Sequence, residues 1–180
     1  MTARRPARVV LVGFMGAGKT TVGPLVARRL GWSFVDLDDE IQAAAGRSVP
    51  EIFATLGEPA FRAKERAAAE RVCTREHLVL ATGGGAFTVP ETRHVLQEGA
   101  LTVWLRCAIE ALMARIPADG NRPLAANRAT ILPLLVGREP SYALADLTVD
   151  TTRTAPADVA RIVAEAALRG RTEGEGTTDG

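Results

Sequence analysis

The residues best suited to chemistry form a glycine-rich stretch that ends in a lysine and a threonine. Residues 13–20 read Gly-Phe-Met-Gly-Ala-Gly-Lys-Thr and follow the apolar run Val9–Val12. They match G-x-x-x-x-G-K-[ST], the pattern of a phosphate-binding loop between a strand and a helix. Backbone N–H groups and the helix N-terminus attract phosphate there, Lys19 reaches the terminal phosphates and Thr20 holds Mg²⁺. The alternative is a glycine-rich turn with an incidental lysine, but both flanks favour a nucleoside triphosphate site.

Two aspartates end the second predicted strand. Residues 34–39 read Phe-Val-Asp-Leu-Asp-Asp, and side chains two apart on a strand point the same way. We therefore expect Asp36 and Asp38 to project from the carboxyl edge of the sheet, where ligands bind in open α/β sheets. One carboxylate can hold Mg²⁺ through its water shell, and the other can accept a hydrogen bond from a substrate hydroxyl. Asp38 and Asp39 could instead cap a helix that begins around Glu40; we favour capping for Asp39 only.

The third predicted strand ends in three consecutive glycines. Leu78–Ala81 runs through Thr82 into Gly83–Gly85. Such glycines serve a free turn or the close approach of another molecule to the backbone, and their place at the carboxyl edge favours the second. No aspartate ends this strand and no N-K-x-D motif is present. Both absences argue against a GTPase.

Arginines are the candidate binders of an anionic substrate. Arg62 lies one helical turn before Arg66 and close to Glu65, and an arginine oriented by an acid can clamp a carboxylate bidentately. The alternative is an i,i+3 ion pair on the surface. The stretch 138–142, Arg-Glu-Pro-Ser-Tyr, is ambiguous when taken alone.

A long segment late in the chain is punctuated by proline, glycine and arginine. It covers about residues 117–137 and carries Arg122 and Pro133. Long loops in compact domains are often mobile lids, which close over phosphates and exclude water. A solvated surface loop is the alternative.

Short apolar runs alternate with helical patterns, which predicts an α/β fold with a parallel sheet covered on both faces. The predicted strands are Arg8–Val12, Ser33–Asp36, Leu78–Ala81, Leu101–Leu105 and Leu147–Val149. The predicted helices are Lys19–Leu30, Val49–Leu56, Glu58–Thr74, Pro90–Gln97, Ala108–Arg115 and Ala157–Leu168.

Composition places the chain among ordinary globular proteins. Its 180 residues suit one domain, with 47% apolar and 24% charged residues. A net charge of +1 provides no basic field for nucleic acid. Cys73 and Cys107 lie far apart without metal-ligand spacing, so we expect free thiols in a reducing compartment. No hydrophobic stretch reaches the length of a signal peptide or membrane span, and we expect a cytoplasmic protein without a membrane partner.

Together these stretches resemble the shikimate kinase family over about residues 8–168. The shared motifs are Gly13–Gly23; Phe34-x-Asp36-x-Asp38-x-x-Ile41; Gly46-Arg47-Ser48-Val49-x-x-Ile52-Phe53; Gly57-Glu58-x-x-Phe61-Arg62-x-x-Glu65; Gly83–Gly85; Val103-Trp104-Leu105; Arg122-Pro123-Leu124; Arg138-x-Pro140-x-Tyr142; Ala145-Asp146; and Val149-Asp150-Thr151. Many kinases share the phosphate-binding loop, whereas the aspartate pair, the Phe-Arg pair and the triple glycine in this order are far more specific.

The resemblance implies a three-layer α-β-α P-loop kinase with a five-stranded parallel sheet in the order 2-3-1-4-5 and a mobile lid. It implies phosphorylation of the shikimate 3-hydroxyl by ATP with Mg²⁺, within the shikimate pathway of aromatic amino acid biosynthesis. It also suggests a monomer whose partners are ATP and shikimate. A gluconate or nucleoside-monophosphate kinase is the rival of the same reaction type, and a P-loop domain that only binds nucleotide is the rival of another class.

The resemblance also implies roles for individual residues. The shikimate site would comprise Asp38, Arg62, Gly83, Gly84, Gly85 and Arg138. In it the two arginines hold the carboxylate, while Asp38 holds ring hydroxyls and can act as base. Nucleotide contacts would come from Gly16, Ala17, Gly18, Lys19, Thr20, Thr21, Arg115, Arg122 and Arg153, with Thr20 and Asp36 at the metal. Lys19 and Arg122 would meet the transferring phosphate, Arg122 from the lid.

We expect one domain over residues 1–169, with a substrate-binding segment at about 37–66 and a lid at about 116–128. Residues 170–180 have no large apolar side chain and are predicted to be a disordered tail. The chain departs from the family pattern near the lid, where Ala125 replaces a usual leucine and the stretch to Arg138 is short. Because proline inside a helix costs about 3 kcal/mol, Pro133 predicts a helix beginning near Leu132.

Overall fold

A computed structural model describes residues 6–116 and 128–170 of the chain. Within them, a five-stranded sheet has the strand order β2-β3-β1-β4-β5, and every strand pairing is parallel. The strands are β1 (Arg8–Val12), β2 (Ser33–Asp36), β3 (Leu78–Ala81), β4 (Ala100–Arg106) and β5 (Leu147–Asp150). The helices are α1 (Lys19–Leu30), α2 (Leu37–Ala45), α3 (Val49–Val72), α4 (Pro90–Gln97), α5 (Ile109–Arg115), α6 (Arg128–Tyr142) and α7 (Pro156–Arg169), with a 3-10 turn at Ala86–Thr88.

The central strands are buried along their whole length. All residues of β1 and β3 are buried, as are the first six of β4. Continuous apolar runs of this kind are typical of parallel sheets covered on both faces. The predicted fold class and strand order are confirmed.

Helices cover both faces because the chain changes direction along the sheet. It moves from β1 towards one edge through α1, and from β3 towards the other edge through α4. Right-handed crossovers in opposite directions lie on opposite faces. Accordingly α1 packs against α7, and α4 packs against α3.

The parallel register brings the strand ends together at one edge. Asp36 pairs with Ala81, Leu11 also pairs with Ala81, and Val12 pairs with Trp104. The loops that follow β1 and β3 and the start of α2 after β2 therefore lie side by side, at the point where the strand order reverses. Ligands bind at this point in open α/β sheets.

The start of α2 corrects the expectation for the three aspartates. The helix begins at Leu37, not around Glu40, and its cap is Asp36, whose Oδ1 accepts from the Asp38 N–H at 3.0 Å. Asp39 lies in the first turn and is not the cap. Asp38 is likewise helical, so strand alternation does not set its direction. Helix α2 can follow β2 without a loop because the extended backbone of Asp36 suits both a strand end and a helix start.

One helix boundary is as expected and another differs. The span α3 consists of two helices that meet at Gly57, whose φ of 78° and ψ of 173° are not helical, in agreement with the helices expected at Val49–Leu56 and Glu58–Thr74. Helix α6 begins at Arg128, so Pro133 lies inside it, not at its start. Pro133 stands in the second turn, where the helix loses a single backbone hydrogen bond close to its end.

Several expectations fall at the margins of the described residues. Residues 117–127, which include most of the expected lid and Arg122, and the expected tail from residue 171 onwards lie outside them. Cys73 and Cys107 are free thiols, as expected. In the described part of the chain, no helix combines the length and apolar character needed to cross a membrane.

Candidate active site

The loop between β1 and α1 has the geometry of a phosphate cradle. Gly18 precedes α1 with φ of 103°, a conformation that only glycine adopts easily. Lys19 is 8% exposed and its Nζ donates to the carbonyls of Gly13 at 2.6 Å and Phe14 at 2.9 Å. The ammonium is thus held over the loop whose N–H groups surround a phosphate in proteins with this motif.

A hydroxyl and a carboxylate lie side by side next to this cradle. Thr20 Oγ1 donates to Asp36 Oδ2 at 3.2 Å, and Asp36 is fixed by its capping bond to α2. Such oxygen donors suit Mg²⁺, which proteins usually hold through one or two carboxylates together with substrate phosphates and water. Among the described residues no cluster of three or more His, Cys, Asp or Glu side chains could hold a metal. The hydroxyl of Thr20 and the carboxylate of Asp36 fit a metal that arrives with a nucleotide.

The first glycine of the triplet faces two carboxylates. A Cβ atom added to Gly83 would lie 3.0 Å from Asp38 Oδ1 and 3.2 Å from Glu65 Oε1. Asp38 stands in the first turn of α2, and Glu65 on α3 is fully buried. Burial raises the pKa of Glu65, the adjacent Arg62 lowers it, and Asp38 raises it through like charge. The carboxylates of Asp38 and Glu65 are thus close enough for the charge of one to raise the pKa of the other.

The third glycine faces the Arg62 guanidinium. A Cβ atom at Gly85 would lie 2.6 Å from Arg62 Nη1. Arg62 donates to the buried Glu65 at 2.6 Å and to Glu58 at 3.2 Å. The alternative that Arg62 and Glu65 form an exposed surface ion pair is therefore wrong, because the Glu65 side chain is only 1% exposed. The Glu58 side chain, by contrast, is 65% exposed. Two acids hold the guanidinium in one orientation.

The second glycine faces Arg138 and the phosphate cradle. A Cβ atom at Gly84 would lie 3.0 Å from Arg138 Nη1 and 3.7 Å from the backbone nitrogen of Met15. The Arg138 guanidinium lies 5.5 Å from the ring centre of Phe14, within cation–π range. One turn further along α6, the Tyr142 hydroxyl donates to the Gly84 carbonyl. Burial raises the pKa of Tyr142 to about 12, against the opposing effect of Arg138.

Side chains from three separate elements therefore lie against the glycine triplet. Asp38 comes from α2, Arg62 from α3 and Arg138 from α6, and each lies against a different glycine of one loop. What approaches the glycines closely is the chain's own charged groups. An aspartate and two guanidiniums beside a phosphate cradle can bind a small anion that also carries hydroxyls.

The residues expected at the adenine side lie in two different settings. Arg115, at the end of α5, donates to the carbonyls of Thr151 at 2.8 Å and Thr152 at 3.3 Å. Arg153 is exposed three residues beyond β5. A Cβ atom at Gly16 would lie 3.1 Å from Ile116, so α5 ends against the phosphate cradle.

The sequence indicates only part of what supports these side chains: Glu65 was expected as an acid that can orient Arg62, and its burial was not expected. The burial of Glu65 could not be inferred from an i,i+3 spacing that exposed ion pairs share. Phe14 occupies a variable position of the phosphate-loop pattern, so nothing marks it as a platform for Arg138. The i,i+4 spacing of Arg138 and Tyr142 was a usable signal, because such residues lie on one helix face.

Comparisons with known proteins agree with this geometry. The family model described as "Shikimate kinase" matches residues 15–167. A shikimate kinase of Moorella thermoacetica is 47% identical over 163 residues, covering 89% of this chain and 94% of the relative. A shikimate kinase of Caulobacter vibrioides is 46% identical, covering 83% and 76%.

Solved structures give the same result. A shikimate kinase from Acinetobacter baumannii in complex with shikimate has a TM-score of 0.85 and 38% identity, with 92% of this chain and 94% of that chain covered. A gluconokinase from Sinorhizobium meliloti has a TM-score of 0.59 at 20% identity, with 92% and 94% covered, and shares the fold alone. On the family model and these relatives, the chain belongs to the shikimate kinase family.

Proposed function

We propose that this chain transfers the terminal phosphoryl group of ATP to the 3-hydroxyl of shikimate, giving shikimate 3-phosphate and ADP in aromatic amino acid biosynthesis. One observation supports this most strongly. Asp38, Arg62 and Arg138 lie against the three glycines Gly83–Gly85, and the middle glycine also adjoins the phosphate cradle. A ligand between those side chains is therefore next to the transferring phosphate.

The two arginines account for recognition of the acceptor's carboxylate. A planar guanidinium binds a carboxylate through two parallel hydrogen bonds. Arg62 is oriented by Glu58 and Glu65, and Arg138 is supported by the Phe14 ring. Fixed guanidiniums lose little freedom on binding, which favours a small rigid anion.

Asp38 accounts for recognition and activation of the acceptor's hydroxyl. Its carboxylate lies beside Gly83, next to the glycine that adjoins the phosphate cradle. A carboxylate within hydrogen-bonding distance of a hydroxyl can accept its proton as the oxygen attacks phosphorus. In this role Asp38 orients the 3-hydroxyl and takes its proton.

The phosphate cradle accounts for the nucleotide. Its backbone N–H groups at Gly16–Thr21, with the Lys19 ammonium, neutralise charge on the phosphates. Thr20 and Asp36 would hold Mg²⁺, which would neutralise further charge on the phosphates. Arg122, outside the described residues, is assigned to the transferring phosphate.

The remaining assignments rest on position. Arg115 and Arg153 are assigned to the adenine side, since both flank the loop after β5. The family resemblance favours a cytoplasmic monomer that forms one domain over residues 1–169, with substrate-binding and lid segments at about 37–66 and 116–128.

An acceptor panel tests the proposal. ADP release by the purified chain is measured with MgATP and shikimate, quinate, gluconate, AMP or no acceptor. We expect release that depends on shikimate and is at least about a hundredfold slower with gluconate, whose flexible chain must be ordered on binding, or with AMP, which has no carboxylate. ATP binding without release that depends on shikimate would identify a nucleotide-binding domain without this activity.

A further inference from the structure

A buried threonine links the last strand of the sheet to the phosphate cradle. Thr151 directly follows β5, is 3% exposed, and its Oγ1 lies 3.0 Å from the Ala17 carbonyl and 3.2 Å from the Arg106 carbonyl. A hydroxyl has one proton to donate. The Arg106 carbonyl already accepts from the Thr151 N–H at 2.7 Å. The Ala17 carbonyl is therefore the acceptor that depends most on the hydrogen bond from the Thr151 hydroxyl.

The direction of the Ala17 carbonyl determines the direction of the next N–H group. The described residues contain no cis peptide bond, and in a planar trans peptide the C=O and N–H point opposite ways. With the Ala17 carbonyl turned towards Thr151, the Gly18 N–H points away from Thr151. Gly18 adopts a φ of 103°, and glycine at this position leaves the backbone few steric limits on turning the peptide over.

The loop that carries Thr151 is itself fixed from the adenine side. Arg115 donates to the Thr151 carbonyl at 2.8 Å. The hydroxyl of Thr152 accepts from the Ala108 N–H at 3.0 Å, and the Thr152 N–H donates to Asp150 at 2.8 Å. Thr151 thus presents its hydroxyl from a rigid loop.

We infer that Thr151 is a positioning residue for phosphoryl transfer: its hydroxyl holds the Ala17–Gly18 peptide so that the Gly18 N–H faces the nucleotide phosphates. The inference rests on the nucleotide site proposed above and adds a residue outside the glycine-rich motif to its machinery. It also connects the loop after β5, assigned to the adenine side, with the phosphate cradle. Loss of the Thr151 hydroxyl lowers the affinity for phosphates and kcat, and it leaves KM for shikimate unchanged.

Two substitutions separate the hydroxyl from the rest of the side chain. Thr151→Val removes the donor with almost no change in shape, and Thr151→Ser keeps the donor. We expect Thr151→Val to weaken binding of Mg-ADP and of Mg-tripolyphosphate, measured by calorimetry, by about tenfold each, since one hydrogen bond aligns one donor. KM for shikimate stays within about twofold, and Thr151→Ser restores both affinities.

A matched variant separates this effect from loss of stability. Thr102 on β4 is also fully buried, and its hydroxyl bonds with Asp146, away from the cradle. Thr102→Val is expected to lower Tm but to leave both affinities unchanged. If Thr151→Val fails to fold, Thr151→Ala carries the same test with a smaller side chain.

The outcomes are distinct. Equal affinities for wild type and Thr151→Val, or a loss for ADP without a loss for tripolyphosphate, would overturn the inference while leaving the proposed function intact. The same losses in Thr102→Val would overturn it too, because they would follow stability. Failure of the wild type to bind Mg-ADP would instead contradict the proposed nucleotide site.

Discussion

Arg62 shows how a single guanidinium is prepared for its task. It donates to a buried acid on one side and to an exposed acid on the other. An unpaired charge at such a site would be costly, so the pair with Glu65 compensates for burial of both groups. Of the five N–H groups of Arg62, those on Nε and Nη2 bond with Glu58 and one on Nη1 bonds with Glu65, which leaves one N–H on each Nη for a carboxylate.

Replacement of Arg62 by lysine tests that bidentate contact. A point charge on a flexible stem cannot make two parallel hydrogen bonds, so Arg62→Lys should raise KM for shikimate about tenfold or more. Steady-state kinetics with saturating ATP measures the change. Arg66→Lys is the matched control, because Arg66 is half exposed and pairs with Glu70 on the same helix. An unchanged KM in Arg62→Lys would move the carboxylate site elsewhere.

Replacement of Lys19 tests the phosphate site as replacement of Arg62 tests the carboxylate site. Lys19→Ala should lower kcat by about 10³ or more, because transfer of a phosphoryl group depends on neutralising its charge. The chain has one other lysine, Lys64 on α3, and Lys64→Ala provides a control with the same change of type. Circular dichroism should show both variants folded. Near-normal kcat in Lys19→Ala would remove the assignment of the cradle.

Tyr142 provides a spectroscopic reporter of the site, since it is the only tyrosine in the chain. Burial raises its pKa to about 12, from 10.0 in an exposed phenol. The folded chain holds the proton longer, so this stabilising contribution is complete below pH 10 and is lost as the pH rises towards 12. Absorbance at 295 nm should show tyrosinate appearing near pH 12 in the native protein, and near pH 10 in denaturant. A native midpoint near 10 would contradict the buried hydrogen bond to Gly84.

At the scale of elements, the glycine triplet after β3 matters because, without Cβ atoms, it leaves room for the side chains of Asp38, Arg62 and Arg138. Alanine at position 85 would place a Cβ atom 2.6 Å from Arg62 Nη1. The end of a flexible side chain can move away at little cost in stability, but the carboxylate clamp would then be misplaced. Displacements of about 1 Å can cost a hundredfold in activity.

Gly85→Ala should therefore raise KM for shikimate about tenfold or more, with a small change in Tm. The matched control is Gly137→Ala on α6, where an added Cβ meets nothing within 4 Å. Alanine at that helical position should increase stability by about 0.5–1 kcal/mol and leave KM unchanged. Thermal unfolding and shikimate kinetics on the two variants test both statements. Equal KM values in the two would show that the triplet does not set the position of Arg62.

The predictability of the elements differed for physical reasons. Strands β1, β2 and β3 were predicted to the residue; for β1 and β3 the reason is that apolar runs bounded by polar or glycine residues define a buried parallel strand. The start of α2 was not, because Asp36 is both the last residue of β2 and the cap of the helix. The start of α6 was misplaced because Pro133 was expected to mark a helix start, whereas it lies inside the helix.

At the scale of the whole molecule, the site is a product of the strand order. The cradle follows β1, Asp36 and Asp38 follow β2, and the triplet follows β3, and these three strands are adjacent. The sequence motifs identified each part, and the resemblance to a family predicted their convergence. Burial of Glu65 and the contact of Thr151 with Ala17 could not be predicted, because both depend on the packing of distant segments.

The central claim is that a shikimate held by Asp38, Arg62 and Arg138 presents its 3-hydroxyl to the phosphate cradle. The most direct test is to identify the product by phosphorus NMR after the wild-type chain has turned over shikimate with MgATP. We predict a single phosphate ester whose phosphorus couples to the proton on carbon 3, formed in equal amounts with ADP. An ester at another hydroxyl, or ADP formed with unchanged shikimate, would contradict the account.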